Sequence, residues 1–309
     1  MNKFSIIVPV YNAQDTLIEL VNKIKSNVSN FSKKMEIILV DDYSSDDSWK
    51  IIRDLSKKNS EIIGIKLTKN CGLDTAVTAG IVKSKGDYIA IIFCDLQDPV
   101  EKLPEMFYEL KKNSVDIVCA YFTNKHPESF ISRLFSKVYW KLFSFFINSH
   151  YPEEEGLYRI ITRRAADFYL NHSNTFKHIK ILNETGLKKI HFKMKQNLRT
   201  KGKSGFTLKK KLEFAIDYIT TYSFKPLLYS SFVGLLISIF SFILTLIVII
   251  LKLVSIIEVP GWTSLFVIIS LFFSLLFFNL AIIAIYLSKN IEESKKSPTY
   301  FIDEIIENE

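Results

Sequence analysis

Asp95-Leu96-Gln97-Asp98 is the stretch of this chain best equipped for chemistry. It sets two carboxylates and an amide directly behind the apolar run Ile89–Cys94 and ahead of Pro99. Such a run reads as a buried strand, and carboxylates at the C-terminal end of a strand in an α/β sheet lie where these sheets bind ligands. Oxygen donors on a short loop suit Mg²⁺ or Mn²⁺, and either ion suits a diphosphate. The competing reading of the same residues is a solvated turn closed by Pro99.

Three further loops carry related chemistry: Pro9-Val10-Tyr11-Asn12, Asp41-Asp42-Tyr43-Ser44-Ser45-Asp46 and Lys69-Asn70-Cys71-Gly72. An acidic pair can accept hydrogen bonds from a nucleobase N–H and from ribose hydroxyls. No Walker loop, G-x-G-x-x-G or G-x-S-x-G occurs, so kinase, dehydrogenase and hydrolase readings lose their usual support.

The elements that must position these loops alternate through the first 120 residues. The apolar runs 4–10, 35–40, 62–67, 88–93 and 115–120 predict strands, and 13–28, 45–57, 73–82 and 101–111 predict helices. Strand–helix alternation with short loops predicts a mainly parallel sheet covered on both faces, its loops converging on one edge. Within 131–148, Ile131, Leu134, Phe135, Val138, Tyr139, Leu142, Phe143 and Phe146 recur at helical spacing, with Arg133, Lys137 and Lys141 on another side. That cationic amphipathic pattern suits a membrane interface, and equally a helix packed on the sheet. Residues 206–226 form a second segment of this kind, and the acidic tail 289–309 is expected to be mobile.

Neither Leu227–Leu251 nor Trp262–Ser288 contains a charged residue. Each is long enough to cross a hydrocarbon core of roughly 30 Å as a helix. Lysines and arginines collect before the first run (Arg199 to Lys225) and after the second (Lys289, Lys295, Lys296), while the connector 252–261 holds Lys252 and Glu258. The positive-inside rule then places both termini in the cytoplasm and makes the protein a multi-pass inner (plasma) membrane protein. Met1-Asn2-Lys3 leads into a strand, so no signal peptide is expected. The net charge of +8 fits an anionic leaflet, and no nucleic-acid motif accompanies it. The three cysteines are widely spaced in apolar contexts and read as reduced core residues. The hairpin anchors the chain and offers a surface for a homo-oligomer.

The order PVYN, VDDYSSD, N-x-G, GDYIAIIFCDLQDP and Arg199-Thr200-Lys201-Gly202-Lys203-Ser204, followed by the two apolar runs, resembles the family-2 glycosyltransferases. Within them it is similar to the dolichol-phosphate-mannose synthase-like group of bacterial polyprenyl-phosphate glycosyltransferases, over roughly residues 4–287. The resemblance implies a GT-A (Rossmann-like) α/β domain over 1–205, a nucleotide-sugar donor (a UDP-sugar), Mg²⁺ or Mn²⁺, and a polyprenyl (undecaprenyl) phosphate acceptor. It implies that Pro9, Tyr11, Asn12, Asp41, Asp42 and Gly72 line the nucleoside side, and that Asp95 and Gln97 hold the metal. Arg199 and Lys203 would cover the diphosphate, and Lys125, Ser129 and Arg133 the acceptor phosphate. Arg159 matches an arginine of the family's Gly-x-Phe-Arg segment. Phe93 stands where the family keeps a second metal carboxylate, so Asp95 alone remains of that pair.

The implied reaction is inverting transfer, with a lipid phosphate oxygen attacking the anomeric carbon. A phosphate monoester, with a second pKa of about 6, is largely ionised at neutral pH and needs little help from a base. Positioning and charge stabilisation should therefore carry the reaction, with Asp95, Arg133 and Arg159 foremost. Glu154 is the candidate base, set against a solvated acidic run with Glu153 and Glu155. Two other functions stay open: transfer to a lipid-linked saccharide or glycerolipid, and an inactive membrane scaffold, the latter prompted by Phe93 and by Ala13 after PVYN.

Overall fold

Strand β1, Lys3–Val10, is buried along all but its first residue. Strands β2 (Lys34–Asp41), β3 (Ile62–Leu67) and β4 (Tyr88–Ile91) are similarly closed in. Continuous apolar runs of this kind belong to strands covered on both faces. The coordinates are a computed structural model that describes residues 3–29, 32, 34–124, 145, 155–171, 179, 182, 185–197, 223, 225–253, 261–295 and 300–308. The chain divides into two units, one of Met1–Ser132, His150–Gly205 and Lys296–Glu309, the other of Arg133–Ser149 and Phe206–Lys295.

The first unit is built on one sheet with strand order β7-β5-β6-β4-β1-β2-β3-β8. Strand β1 pairs in parallel with β2 and with β4, and β2 pairs in parallel with β3. The chain therefore builds outward from β1 to β3 and then crosses back to the other side of β1. That reversal is the topological switch point, and the crevice at the C-terminal ends of β1 and β4 is where open α/β sheets take ligands. Helices α1 (Leu17–Val28), α2 (Ser48–Lys58), α3 (Leu73–Lys83) and α4 (Leu103–Lys112) connect these strands. Helix α1 buries Leu17, Leu20, Val21, Ile24 and Val28, the i, i+3, i+4, i+7 stripe of a core-facing helix. Helix α3 lies close on β1 because Gly80 has no side chain: a Cβ there would stand 2.4 Å from Ile7 Cγ2.

Strand β4 stops at Ile91, short of the expected Phe93. The Ile92 N–H still reaches Ile7 O at 3.0 Å, but the Phe93 N–H turns to the Asp98 carboxylate at 3.0 Å. Beyond β5 (Ile117–Phe122) come elements that periodicity did not reveal. They are β6 (Glu155–Thr162), α5 (Arg163–Asn171) and β7 (Lys189–Met194). Strand β6 inserts antiparallel between β4 and β5, and β7 runs parallel to β5. The sheet is thus mixed as well as mainly parallel.

The tail expected to be mobile is corrected by strand β8, Ile302–Ile306, which pairs antiparallel with β3. Its acids, and Glu307 just past it, meet bases of β3, α2 and α3: Asp303 with Lys66 at 2.9 Å, Glu304 with Arg53 at 2.8 Å, Glu307 with Lys83 at 2.6 Å. The tail looked solvated because its charges were counted without their partners.

The second unit contains helices α6 (Lys225–Leu253) and α7 (Trp262–Lys295), so the second helix runs beyond the expected boundary at 288. Tyr286 O–H donates to Ser223 O at 2.6 Å, and Phe145 stacks on Tyr229 with ring centroids 5.2 Å apart. Among the described residues no helix is long and apolar enough to cross a membrane. The spans expected at 227–251 and 262–288 therefore stand here as helices. The segment 131–148, apart from Phe145, and most of 206–226 lie outside the described residues.

Candidate functional site

Four loops leave the C-terminal ends of β1 to β4, and hydrogen bonds tie the first three together. Strand register sets the row Val10, Asp41 and Lys66 across that edge. The Asp42 N–H then donates to Val10 O at 2.8 Å. In the next turn the Asn12 N–H donates to Ser44 Oγ at 3.0 Å, and Asn12 Oδ1 accepts from the Ser45 N–H at 2.8 Å. The Ala13 N–H donates to Ser48 Oγ at 2.8 Å. This zipper holds Asn12 and Tyr43 in the left-handed region, with φ of 50° and 61°, and leaves the Tyr11 and Tyr43 rings exposed. Two exposed rings flanking an acidic pair make a surface on which a flat heterocycle can lie.

Asp42 spends both oxygens inside the fold. It accepts the Cys71 N–H at 2.7 Å and the Gly72 N–H at 2.9 Å. Gly72 has φ of +89°, a conformation glycine adopts without steric cost, and it opens helix α3. Asp41 accepts the Ser44 N–H at 3.2 Å through one oxygen. Its other oxygen is buried without a hydrogen-bond partner among the described residues. A buried acceptor left open is costly, and a ligand N–H or O–H would relieve it. Burial pushes the Asp41 carboxyl up, against Ser44 and the Lys66 charge. Burial also raises Asp42, against its two backbone donors, with the Asp41 charge adding to the rise.

In the loop after β4, burial pushes the Cys94 thiol up to about 11. Asp95 accepts the Gln97 N–H at 3.2 Å and is partly exposed. Leu96 has φ of 60°. Asp98 turns inward onto the Phe93 N–H, and its carboxyl is pushed up to about 8 by burial, with the Asp95 charge adding to the rise. Asp98 is therefore a structural acid, both buried and committed to the Phe93 N–H. It shapes the loop.

A divalent cation would find Asp95 and the Gln97 amide here. Among the described residues no group of three His, Cys, Asp or Glu could hold a metal. One carboxylate and one amide fit Mg²⁺ or Mn²⁺ that keeps waters and takes phosphate oxygens from a substrate. They do not fit a closed protein cage.

Pro9 and Asp41 stand at the C-terminal ends of β1 and β2, Tyr11, Asn12, Asp42 and Gly72 in the linked loops, and Asp95 and Gln97 on the loop after β4. Arg159 belongs to none of these loops. Its side chain is fully buried in β6 and donates to the carbonyls of Leu157, Gly156 and Ile179, with Glu155 at 3.6 Å. Among the described residues the bonds of Arg159 hold strand β6 in place. An arginine followed by apolar residues gave no sign of its depth. Lys125, Ser129, Arg133, Glu154, Arg199 and Lys203 lie outside the described residues. What sequence reasoning missed was the serines: Ser44, Ser45 and Ser48 join two of the loops. The start of the helix predicted over 45–57 was the available signal, and Asp46 accepts the Ser48 N–H at 3.0 Å.

A family model described as glycosyl transferase family 2 matches residues 5–172. The uncharacterized glycosyltransferase YkcC of Bacillus subtilis is 31% identical over 302 residues, 97% of this chain and 93% of its own. The undecaprenyl-phosphate 4-deoxy-4-formamido-L-arabinose transferase of Proteus mirabilis is 26% identical over 310 residues, 99% of this chain and 94% of its own. Among solved structures, glucosyl-3-phosphoglycerate synthase from Mycobacterium tuberculosis, in complex with Mn²⁺, UDP and phosphoglyceric acid, superposes with a TM-score of 0.50 at 15% identity. That match covers 71% of this chain and 77% of the synthase, and it bears on the fold, a GT-A-like α/β sheet.

Proposed function

The chain belongs to glycosyl transferase family 2 and is a glycosyltransferase, and from that premise we propose that it transfers a sugar, with inversion, from a nucleotide-sugar to a polyprenyl phosphate at the cytoplasmic face of the plasma membrane. The observation that carries this reading is collinearity. The similarity to a transferase named for undecaprenyl phosphate runs through 99% of the chain, the helix pair included. Two features of the fold support it. Helices α6 and α7 expose large apolar side chains, Phe240 at 62% and Phe277 at 64% among them. Surfaces of that kind mark contact with lipid or protein. Strand β8 follows α7 yet pairs with β3, so a chain that leaves through α6 must come back through α7. An even number of crossings is what a hairpin anchor requires.

In this reading the nucleoside lies along Tyr11, Asn12, Asp41 and the Gly72 turn, with the open Asp41 oxygen taking a ligand hydrogen. Asp95 and Gln97 would hold Mg²⁺ or Mn²⁺, which neutralises charge gathering on the departing diphosphate. Asp42 and Asp98 keep the loops in shape. Arg199 and Lys203 serve the diphosphate, and Lys125, Ser129 and Arg133 the lipid phosphate. The acceptor oxygen is already ionised, so the chain's task is to hold two phosphates and a sugar in line.

The test is to incubate the purified protein in membranes with undecaprenyl phosphate and a panel of labelled nucleotide-sugars, with and without chelator. A labelled glycosyl polyprenyl phosphate should form and should vanish with chelator. Asp95→Ala should lower the rate by more than the roughly tenfold that loss of an outer-shell partner costs. Absence of product across the panel would sink the acceptor assignment. Turnover untouched by Asp95→Ala would sink the metal assignment.

A further inference from the structure

Two asparagines tie together three stretches that are far apart in sequence. Asn124, two residues past the end of β5, uses its side-chain amide as a strand residue uses its backbone. Its Nδ2 donates to Gln196 O at 2.8 Å, and its Oδ1 accepts from the Gln196 N–H at 2.7 Å. This prolongs the β5–β7 ladder, in which Phe122 faces Met194 and the Thr123 N–H donates to Met194 O at 2.9 Å. One residue further on, Asn197 turns to another partner. Its backbone N–H donates to Gln97 O at 2.9 Å, and its Nδ2 donates to Leu96 O at 3.4 Å.

Leu96 is the residue that makes this matter. It is buried and held at φ of 60°, a left-handed conformation that a leucine avoids and that persists only where its surroundings over-determine it. The carbonyls that Asn197 engages are those of Leu96 and Gln97, between the Asp95 carboxylate and the Gln97 amide. Fixing those carbonyls fixes where the two side chains stand. Asn197 is itself fixed because Gln196 is clamped from the other side by Asn124.

We propose that Asn124 is a positioning residue for the transfer reaction: through Gln196 and Asn197 it holds the Asp95–Gln97 loop in its ligand-bearing shape and ties that loop to the chain leaving β5. The inference rests on the metal and diphosphate roles proposed above for Asp95 and Gln97. It adds that the loop is set by a residue 101 positions away, Asn197, three past the end of β7. Loss of Asn124 should then show in the ion requirement of the reaction more than in the chemical step.

Asn124→Asp tests this at constant size. It keeps an acceptor for the Gln196 N–H and turns the donor into a carboxylate facing the Gln196 carbonyl. In the full-length protein the Mn²⁺ concentration giving half-maximal transfer should rise about tenfold, the effect of losing one well-placed hydrogen bond and opposing two acceptors. The rate at saturating Mn²⁺ should stay near that of the parent. Amide hydrogen exchange should quicken in 93–98 as well as in 195–197. An unchanged Mn²⁺ requirement, or unchanged exchange in 93–98, overturns the proposal. Should Asn124→Asp fail to fold, Asn197→Ala removes the bond to Leu96 O and spares the strand pairing; a Mn²⁺ requirement that does not move in it overturns the proposal equally. A parent protein that makes no glycosyl lipid defeats the proposed function alone. The exchange comparison in 93–98 then still decides the positioning role.

Discussion

Glu155→Gln probes how the sheet around β5, β6 and β7 is held. The Glu155 carboxylate is fully buried, 2.8 Å from His191 Nε2, 3.0 Å from Lys189 Nζ and 3.6 Å from the Arg159 guanidinium. Arg159 is as deeply buried, and its hydrogen bonds to Leu157, Gly156 and Ile179 end on carbonyl oxygens. Carbonyls satisfy its N–H groups but leave its charge uncompensated. Lys189 and His191 have side chains 20% and 31% exposed, so water can take over their solvation. The cost of losing the carboxylate therefore falls on Arg159. Breaking a buried pair by removing one partner costs about 3–5 kcal/mol. For a unit of this size each 1 kcal/mol moves the thermal midpoint by roughly 2–4 °C, so a fall of roughly 6–20 °C is expected. Cys119 supplies the assay. It pairs with Arg159 on one side and His191 on the other, is fully buried, and has a thiol pushed up to about 11 by burial. Such a thiol is inert until the sheet opens. In a Cys71→Ala, Cys94→Ala background, thiol labelling against temperature reports this sheet alone. Arg159→Met is the comparison: it leaves the carboxylate with Lys189 and His191 and should cost less. A Glu155→Gln midpoint equal to the parent's, or an Arg159→Met loss larger than that of Glu155→Gln, would refute the reasoning.

Two further outcomes follow from the same coordinates. Burial would raise the Glu36 carboxyl, but Lys3, Ser5 and the Lys85 N–H outweigh it and hold the group below its ordinary value. A depressed carboxylate contributes stability that is present above its unfolded pKa and lost as pH falls through the folded one. Glu36→Gln should thus cost about 1–3 kcal/mol at pH 7 and converge on the parent as pH falls through the lowered carboxyl's titration, as read by urea midpoints across pH; parallel curves would defeat the assignment. Ending the chain before Tyr300 removes β8 and uncovers the edge of β3. The exposed ion pairs contribute at most about 1 kcal/mol each, so the main effect should be self-association through the bare edge. Size-exclusion chromatography that finds the shortened protein as uniform as the parent would contradict this.

The alternating β1–β4 core was legible from local pattern, since apolar runs of strand length between amphipathic stretches have few other solutions. That pattern also located the loops that carry the chemistry, because those loops must follow the strands. Strands β6 and β7 escaped it: β6 carries Glu155 and Arg159 inside the sheet, and β7 alternates Lys189, His191 and Lys193 with apolar residues, patterns that local periodicity assigns to a surface. Strand β8 escaped it for the same reason, its acids being neutralised by Lys66, Arg53 and Lys83 more than 200 residues away. Among the site residues, the type of Asp42, Asp98 and Arg159 was legible, but the direction in which each faces was not. An aspartate next to Asp41 and another three positions from Asp95 can serve a ligand or a backbone N–H equally well on paper. Only the tertiary structure decided that Asp42 holds the Gly72 turn, that Asp98 holds Phe93 and that Arg159 lies in the core, because burial and hydrogen-bond partners depend on what the rest of the chain brings alongside.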